Sequence, residues 1–166
     1  MGSGKSSIGR LLAARLERAF VDLDACIEAE AGMSIALIFA NEGEAGFRAR
    51  ERRALAVELS RGTPGVIATG GGAILDDASR RALQGVGTVV YLQVDPAVQL
   101  QRLQGDLTRP LLATEDPGQR LADLQAVREP LYREVADVAF DTTHQSPDAA
   151  AASLADLLAA SSERVA

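Results

Sequence analysis

The chain has 166 residues, 47% hydrophobic and 24% charged, which suffices for one folded domain and lies far from disordered compositions. A formal charge of -6 excludes duplex binding through a basic face, and one cysteine with one histidine excludes a disulfide framework or a structural zinc cluster. No apolar run approaches the ~20 residues of a membrane span and no signal-peptide core opens the chain, so a cytoplasmic protein without membrane or nucleic-acid partners is expected.

The chain opens on Gly2-Ser3-Gly4-Lys5-Ser6-Ser7, after which Ile8, Leu11, Leu12 and Leu16 recur at helical spacing and predict an amphipathic helix over 5–18. A short strand, Ala19-Phe20-Val21, ends in Asp22-Leu23-Asp24. Short helical segments around 27–31 and 34–40 precede a stronger helix over about 44–60, with Phe47, Leu55 and Leu59 on one side. A second strand, Val66-Ile67-Ala68, runs into Thr69-Gly70-Gly71-Gly72.

A helix over 76–83 leads to a strand over 88–94, and Pro96 then suits the first turn of another helix. Residues 105–118 carry Pro110, Pro117 and two glycines and read as a mobile loop, followed by a helix to about 135. Residues 138–140 form the last strand, and Ser146-Pro147-Asp148 caps a closing helix whose Leu154, Leu157 and Leu158 face the core. This alternation predicts an α/β fold, a parallel sheet covered on both faces, with ligands at the strands' carboxyl ends.

Residues 2–7 match the second half of the phosphate loop G-x-x-x-x-G-K-[ST]. In that loop glycines turn N–H groups inward around an anion, the lysine reaches the β- and γ-phosphates, and the next hydroxyl binds magnesium. A mobile glycine-rich end is the plainer reading, but the amphipathic helix that follows at once is the context the motif requires. The pattern's first glycine falls upstream of Met1, with the strand that should precede the loop. Met1 is therefore expected to be an internal methionine of the motif, and the first, central strand to be missing from this chain.

Asp22 and Asp24, one residue apart, point to the same side if both lie on an extended strand. One carboxylate can then hold hydrated magnesium while the other orients or deprotonates an alcohol; capping the next helix is the plainer role for Asp24. Arg48 and Glu51 are three apart on a helix and can touch, either as a surface pair or as site residues oriented by Phe47. Three glycines after a strand cost backbone entropy and suit a ligand's close approach, or make a simple turn. Arg109-Pro110-Leu111-Leu112 in the mobile loop offers an arginine that is solvated or closes on a transferred phosphoryl group. Arg128, four before Tyr132, is ambiguous between a solvated face and a site.

Taken in order, Gly2 to Arg10, Asp22-Leu23-Asp24, Gly46-Phe47-Arg48 with Glu51, Gly70-Gly71-Gly72, Arg109-Pro110-Leu111-Leu112 and Arg128 with Pro130-Leu131-Tyr132 resemble the shikimate kinase family. The resemblance implies a three-layer αβα P-loop kinase fold with a mobile lid, one domain over 1–166. Its core would be 1–24, 61–104 and 137–166, its substrate-binding helices 25–60 and its lid 105–118. It implies transfer of the γ-phosphoryl group of ATP to the 3-hydroxyl of shikimate by a monomer, with Mg2+ as cofactor.

By the same resemblance Lys5, Asp24 and Arg109 are catalytic. Gly2, Ser3, Gly4, Lys5, Ser6, Ser7, Arg102, Arg109 and Gln145 contact ATP, and Ser6 and Asp22 serve the metal. Asp24, Arg48, Gly70, Gly71, Gly72 and Arg128 hold shikimate, the two arginines gripping its carboxylate with planar forks. The alternatives are a kinase of gluconate or a nucleoside monophosphate, and a non-catalytic shikimate-binding relative.

Overall fold

The computed structural model describes residues 2–103, 110–112 and 114–162. Its strands and helices alternate in chain order: α1 Lys5–Arg15, β1 Ala19–Asp22, α2 Leu23–Ala31, α3 Ile35–Ser60, β2 Gly65–Ala68, α4 Asp77–Gln84, β3 Val90–Gln93, α5 Pro96–Leu103, α6 Pro117–Val135, β4 Val138–Asp141 and α7 Pro147–Ser162. Several helices begin at side-chain caps that satisfy otherwise orphaned N–H groups. The Ser34 hydroxyl accepts from Leu37 N at 3.3 Å, Asp76 from Ser79 N at 2.9 Å, Asp116 from Gln119 N at 2.9 Å and Ser146 from Ala149 N at 3.2 Å.

Two boundaries differ from the sequence expectation. Asp22 closes β1 and its Oδ1 accepts from Asp24 N at 3.1 Å, so Asp22 caps α2 while Asp24 lies in that helix's first turn. The two carboxylates therefore do not share the face of one extended strand, and it is Asp22, not Asp24, that caps. The segments expected at 34–40 and 44–60 join as α3, broken at Gly43, whose φ 69 and ψ -177 only glycine adopts readily.

Pairing is parallel throughout the described residues, β1 with β2 (Ala19 opposite Gly65) and β3 with β4 (Val90 opposite Val138). The two ladders are separate; no backbone pairing joins them into one sheet among the described residues. Packing nevertheless gives three layers, because neighbouring strand residues point to opposite faces. On one face Val66, Val90, Leu92 and Val138 pack with Ile8 and Leu12 of α1 and Ala150, Ala151 and Leu154 of α7. On the other, Val21 and Ile67 pack with Leu23 and Ile27 of α2 and Ile38, Phe47 and Leu55 of α3. Leu158 joins the first cluster, whereas Leu157, expected in the core, is 36% exposed. Its neighbours one turn away carry the buried stripe of α7, which is narrower than the leucine pattern suggests. No helix among the described residues is long and apolar enough to cross a membrane.

Candidate active site

The glycine-rich loop owes its shape to two left-handed residues, Gly2 (φ 66) and Gly4 (φ 85), on either side of buried Ser3. Gly4 is the N-cap of α1 and supplies no side-chain cap. The first-turn N–H groups of α1 are thus left for a ligand, with the positive end of the helix dipole behind them. Lys5 is the first residue of that helix, and the Ser6 and Ser7 side chains are exposed.

Two contacts seat the loop. A Cβ on Gly2 would lie 3.1 Å from Leu103 and 3.3 Å from Gln99 of α5. The buried Thr142 hydroxyl donates to the Gln93 carbonyl oxygen at 2.8 Å and stands 3.4 Å from the Ser3 carbonyl oxygen. The loop therefore sits where β3 and β4 end. Arg102 is exposed at the end of α5, its guanidinium donating to the carbonyl oxygens of Thr142 at 2.9 Å and Thr143 at 3.1 Å. Gln145 donates to the Asp141 carbonyl oxygen at 2.9 Å.

The carboxyl ends of the other ladder face the same way. A Cβ on Gly9 would lie 2.8 Å from the Phe20 ring, so β1 runs closely against α1. Since β1 follows α1 through a short turn it runs opposite to the helix, and its terminal Asp22 returns toward the helix's N-terminal end.

Around the glycine turn 70–72 the long-range contacts concentrate. A Cβ on Gly70 would strike Glu51 Oε1 and come within 3.3 Å of Asp24 Oδ1, and one on Gly72 would strike the Arg48 guanidinium. Tyr132 of α6 donates its hydroxyl to the Gly71 carbonyl oxygen at 2.6 Å. A side chain at Gly70 or at Gly72 would collide with one from α3, which is the physical reason both positions are bare. Asp24 of α2, Arg48 and Glu51 of α3, and Tyr132 of α6 converge on it, and Arg128 stands one turn before Tyr132, close enough to act on both Tyr132 and Glu51.

Charge in this cluster is buried. Arg48 donates to Glu51 at 2.6 Å and to Glu44 at 3.0 Å, and its guanidinium lies 5.1 Å from the Phe47 ring centre. Glu51 is 3% exposed and Arg128 is 4% exposed. Glu51 Oε1 and Arg128 Nε find no hydrogen-bond partner among the described residues, a costly state that a bound polar molecule would relieve. Burial pushes the Glu51 carboxyl up; the Arg48 charge and hydrogen bond pull it down, Asp24 raises it again, and burial wins. Burial likewise works against the Arg48 charge, but Glu51 and Glu44 outweigh it and raise its pKa.

Of the residues singled out in the sequence, the structure brings Asp24, Arg48, Gly70, Gly71, Gly72 and Arg128 together at one turn, and Gly2, Ser3, Gly4 and Lys5 together at another. Asp22 lies at the end of β1, and Arg102 and Gln145 are tied to the segment that follows β4. Arg109 lies outside the described residues. Sequence reasoning left Tyr132, Tyr91 and Thr142 without a role and gave Glu51 none of its own. Only the three-residue spacing to Arg48 hinted at Glu51, and nothing local marks the others.

The shikimate kinase family model matches residues 1–159. The chain is 54% identical over 143 residues to the shikimate kinase of Halorhodospira halophila, covering 86% of this chain and 80% of that one. It is 50% identical over 147 residues to the shikimate kinase of Pseudomonas aeruginosa, with 89% and 85% covered. Among solved structures, shikimate kinase from Acinetobacter baumannii in complex with shikimate superposes with a TM-score of 0.92 at 42% identity, covering 97% of this chain and 89% of that one. The Aquifex aeolicus shikimate kinase follows at 0.84 and 29% identity, with 98% and 94% covered.

Proposed function

The chain belongs to the shikimate kinase family, ATP-using enzymes that phosphorylate shikimate, and we propose how its own residues divide the transfer of the γ-phosphoryl group to the 3-hydroxyl. The amides of residues 2–6 and the α1 N-terminus cradle the phosphates, and Lys5 neutralises the charge that grows on them. Asp24 accepts the proton of the attacking hydroxyl. Arg48 and Arg128 take the shikimate carboxylate beside the 70–72 turn. Arg109, outside the described residues, is assigned by the family resemblance to the charge on the transferred group. Arg102 and Gln145 flank the nucleotide base.

Magnesium suits the donors present. Ser6 offers an exposed hydroxyl on the first turn of α1, and one Asp22 oxygen remains beside the one that caps α2. Two oxygens from the protein, completed by phosphates and water, is the way this hard cation usually binds. When bound it would draw charge from the phosphate oxygens. The protein is one domain over 1–166, acts as a monomer and resides in the cytoplasm.

The observation that carries this reading is the buried pair of unsatisfied groups, Arg128 Nε and Glu51 Oε1, converging with Asp24 on a bare glycine turn. That is a site for a small acid that also carries hydroxyls. Coupled ADP-release assays with shikimate, gluconate and AMP as separate acceptors test it. Release with shikimate alone is expected; release with gluconate or AMP but not shikimate overturns the reading.

A further inference from the structure

Tyr132 lies at a crossing of contacts that the reaction as described does not use. Its hydroxyl gives its hydrogen to the Gly71 carbonyl oxygen at 2.6 Å. Burial raises the phenol pKa, while the nearby Arg128 charge works to lower it. The phenol therefore ties α6 to the turn, and Arg128 stands one helical turn earlier on the same helix. Arg128 is almost wholly buried, and its Nε has no hydrogen-bond partner among the described residues.

The ring is clamped as well. Tyr132 stacks on Tyr91 of β3, centroids 4.7 Å apart and planes 22° from parallel. The Tyr91 hydroxyl is held in turn by Glu129 and Gln125 of α6, the helix that carries Arg128 and Tyr132. The stack thus fixes α6 to β3 on the side opposite Val90 and Leu92, with the Tyr132 hydroxyl on the Gly71 carbonyl oxygen.

We propose that Tyr132 is a positioning residue that sets the register between the Arg128 guanidinium and the glycine turn 70–72, and thereby the enzyme's preference for an acceptor bearing a free carboxylate. A carboxylate placed between Arg128 and the turn is recognised only if donor and main chain keep a fixed spacing, and the Tyr132 hydroxyl, bonded to Gly71, holds α6 at that spacing. The inference rests on the shikimate reading above.

Calorimetry on the full chain with shikimate and, separately, shikimate methyl ester tests it in wild type, Tyr132→Phe, Arg128→Ala and the double variant. Tyr132→Phe keeps the ring stack and removes only the hydroxyl. It should weaken shikimate binding by about tenfold while the ester changes by less than about twofold, and it should add nothing once Arg128 is gone, because the tether acts on the acid only by placing Arg128. Equal losses for acid and ester, an additive double variant, or unchanged shikimate binding would each overturn the proposal. Wild-type protein that binds no shikimate would instead overturn the functional reading beneath it.

Discussion

Residues 2–6 offer an anion main-chain N–H groups and a helix end, whereas the proposed acceptor site at the 70–72 turn offers guanidiniums, Arg128 buried and Arg48 half-buried and paired to the buried Glu51 carboxylate. The first device is local: two glycines and one helix create it, and it tolerates any phosphate chain of the right charge. The second is assembled from α2, α3, α6 and the segment after β2, and its geometry rests on contacts between residues far apart in the chain. Main-chain recognition suits a co-substrate used throughout metabolism, and side-chain recognition suits an acceptor that must be told from its relatives.

If the two halves are independent, a change in one should leave the other's ligand alone. Lys5→Ala provides the largest contrast, lowering kcat by about 10³-fold through loss of transition-state charge stabilisation while shikimate affinity moves by less than about twofold. Steady-state kinetics paired with shikimate titration would check this. A parallel loss of shikimate binding would show that the halves share one structure and break the contrast.

Glu51→Gln sharpens it from the other side. Its raised pKa means that ionised Glu51 costs the fold more than it returns, despite the contact with Arg48, as buried ion pairs often do. The neutral isostere should therefore leave stability near neutral pH within about 1 kcal/mol of wild type. Arg48, released from its partner, should lose its aim, and shikimate affinity should fall about tenfold. The pH dependence carries a definite sign. With the folded pKa above the ordinary 4.5, the native state holds the proton longer than the unfolded chain. Wild type should therefore lose stability relative to Glu51→Gln as pH rises from 4.5 through the folded pKa. Melting temperatures measured from pH 4 to 8 would contradict this if the difference between the two proteins stayed flat.

The same contrast explains what could be read without coordinates. The phosphate loop, the strands and the helices announce themselves through spacing within a few residues, and the βα alternation carried the fold class. Asp24 and Arg48 were visible as residue types and only the family resemblance put them at one ligand, while the two aspartates were misplaced on one strand because the start of α2 is set by the Asp22 cap, a contact that residue spacing does not reveal. Tyr132 reaches Gly71 across 61 positions of chain, and Glu51 meets Gly70 across a break between layers. No window on the sequence contains both ends of such a contact, so a pocket made of them is legible only in its motifs.

The smallest expected effect is spectroscopic, and it asks whether the acceptor half is as closed to water as its contacts imply. The chain has two tyrosines and no tryptophan, so phenolate absorbance reports Tyr91 and Tyr132 alone. Burial, with Glu129 at its hydroxyl, pushes Tyr91 from 10.0 up to about 12, and burial raises Tyr132 as well. At pH 10 a free phenol is half ionised, so the folded protein should show little phenolate there and gain the signal on adding urea. Since both phenols hold their protons more tightly in the fold, stability should decline as pH climbs from 10.0 through about 12. Ordinary titration of both tyrosines in the native protein would mean that water reaches the Tyr132 bridge, and the distinction between an exposed phosphate cradle and a sealed acceptor pocket would fail at its most protected point.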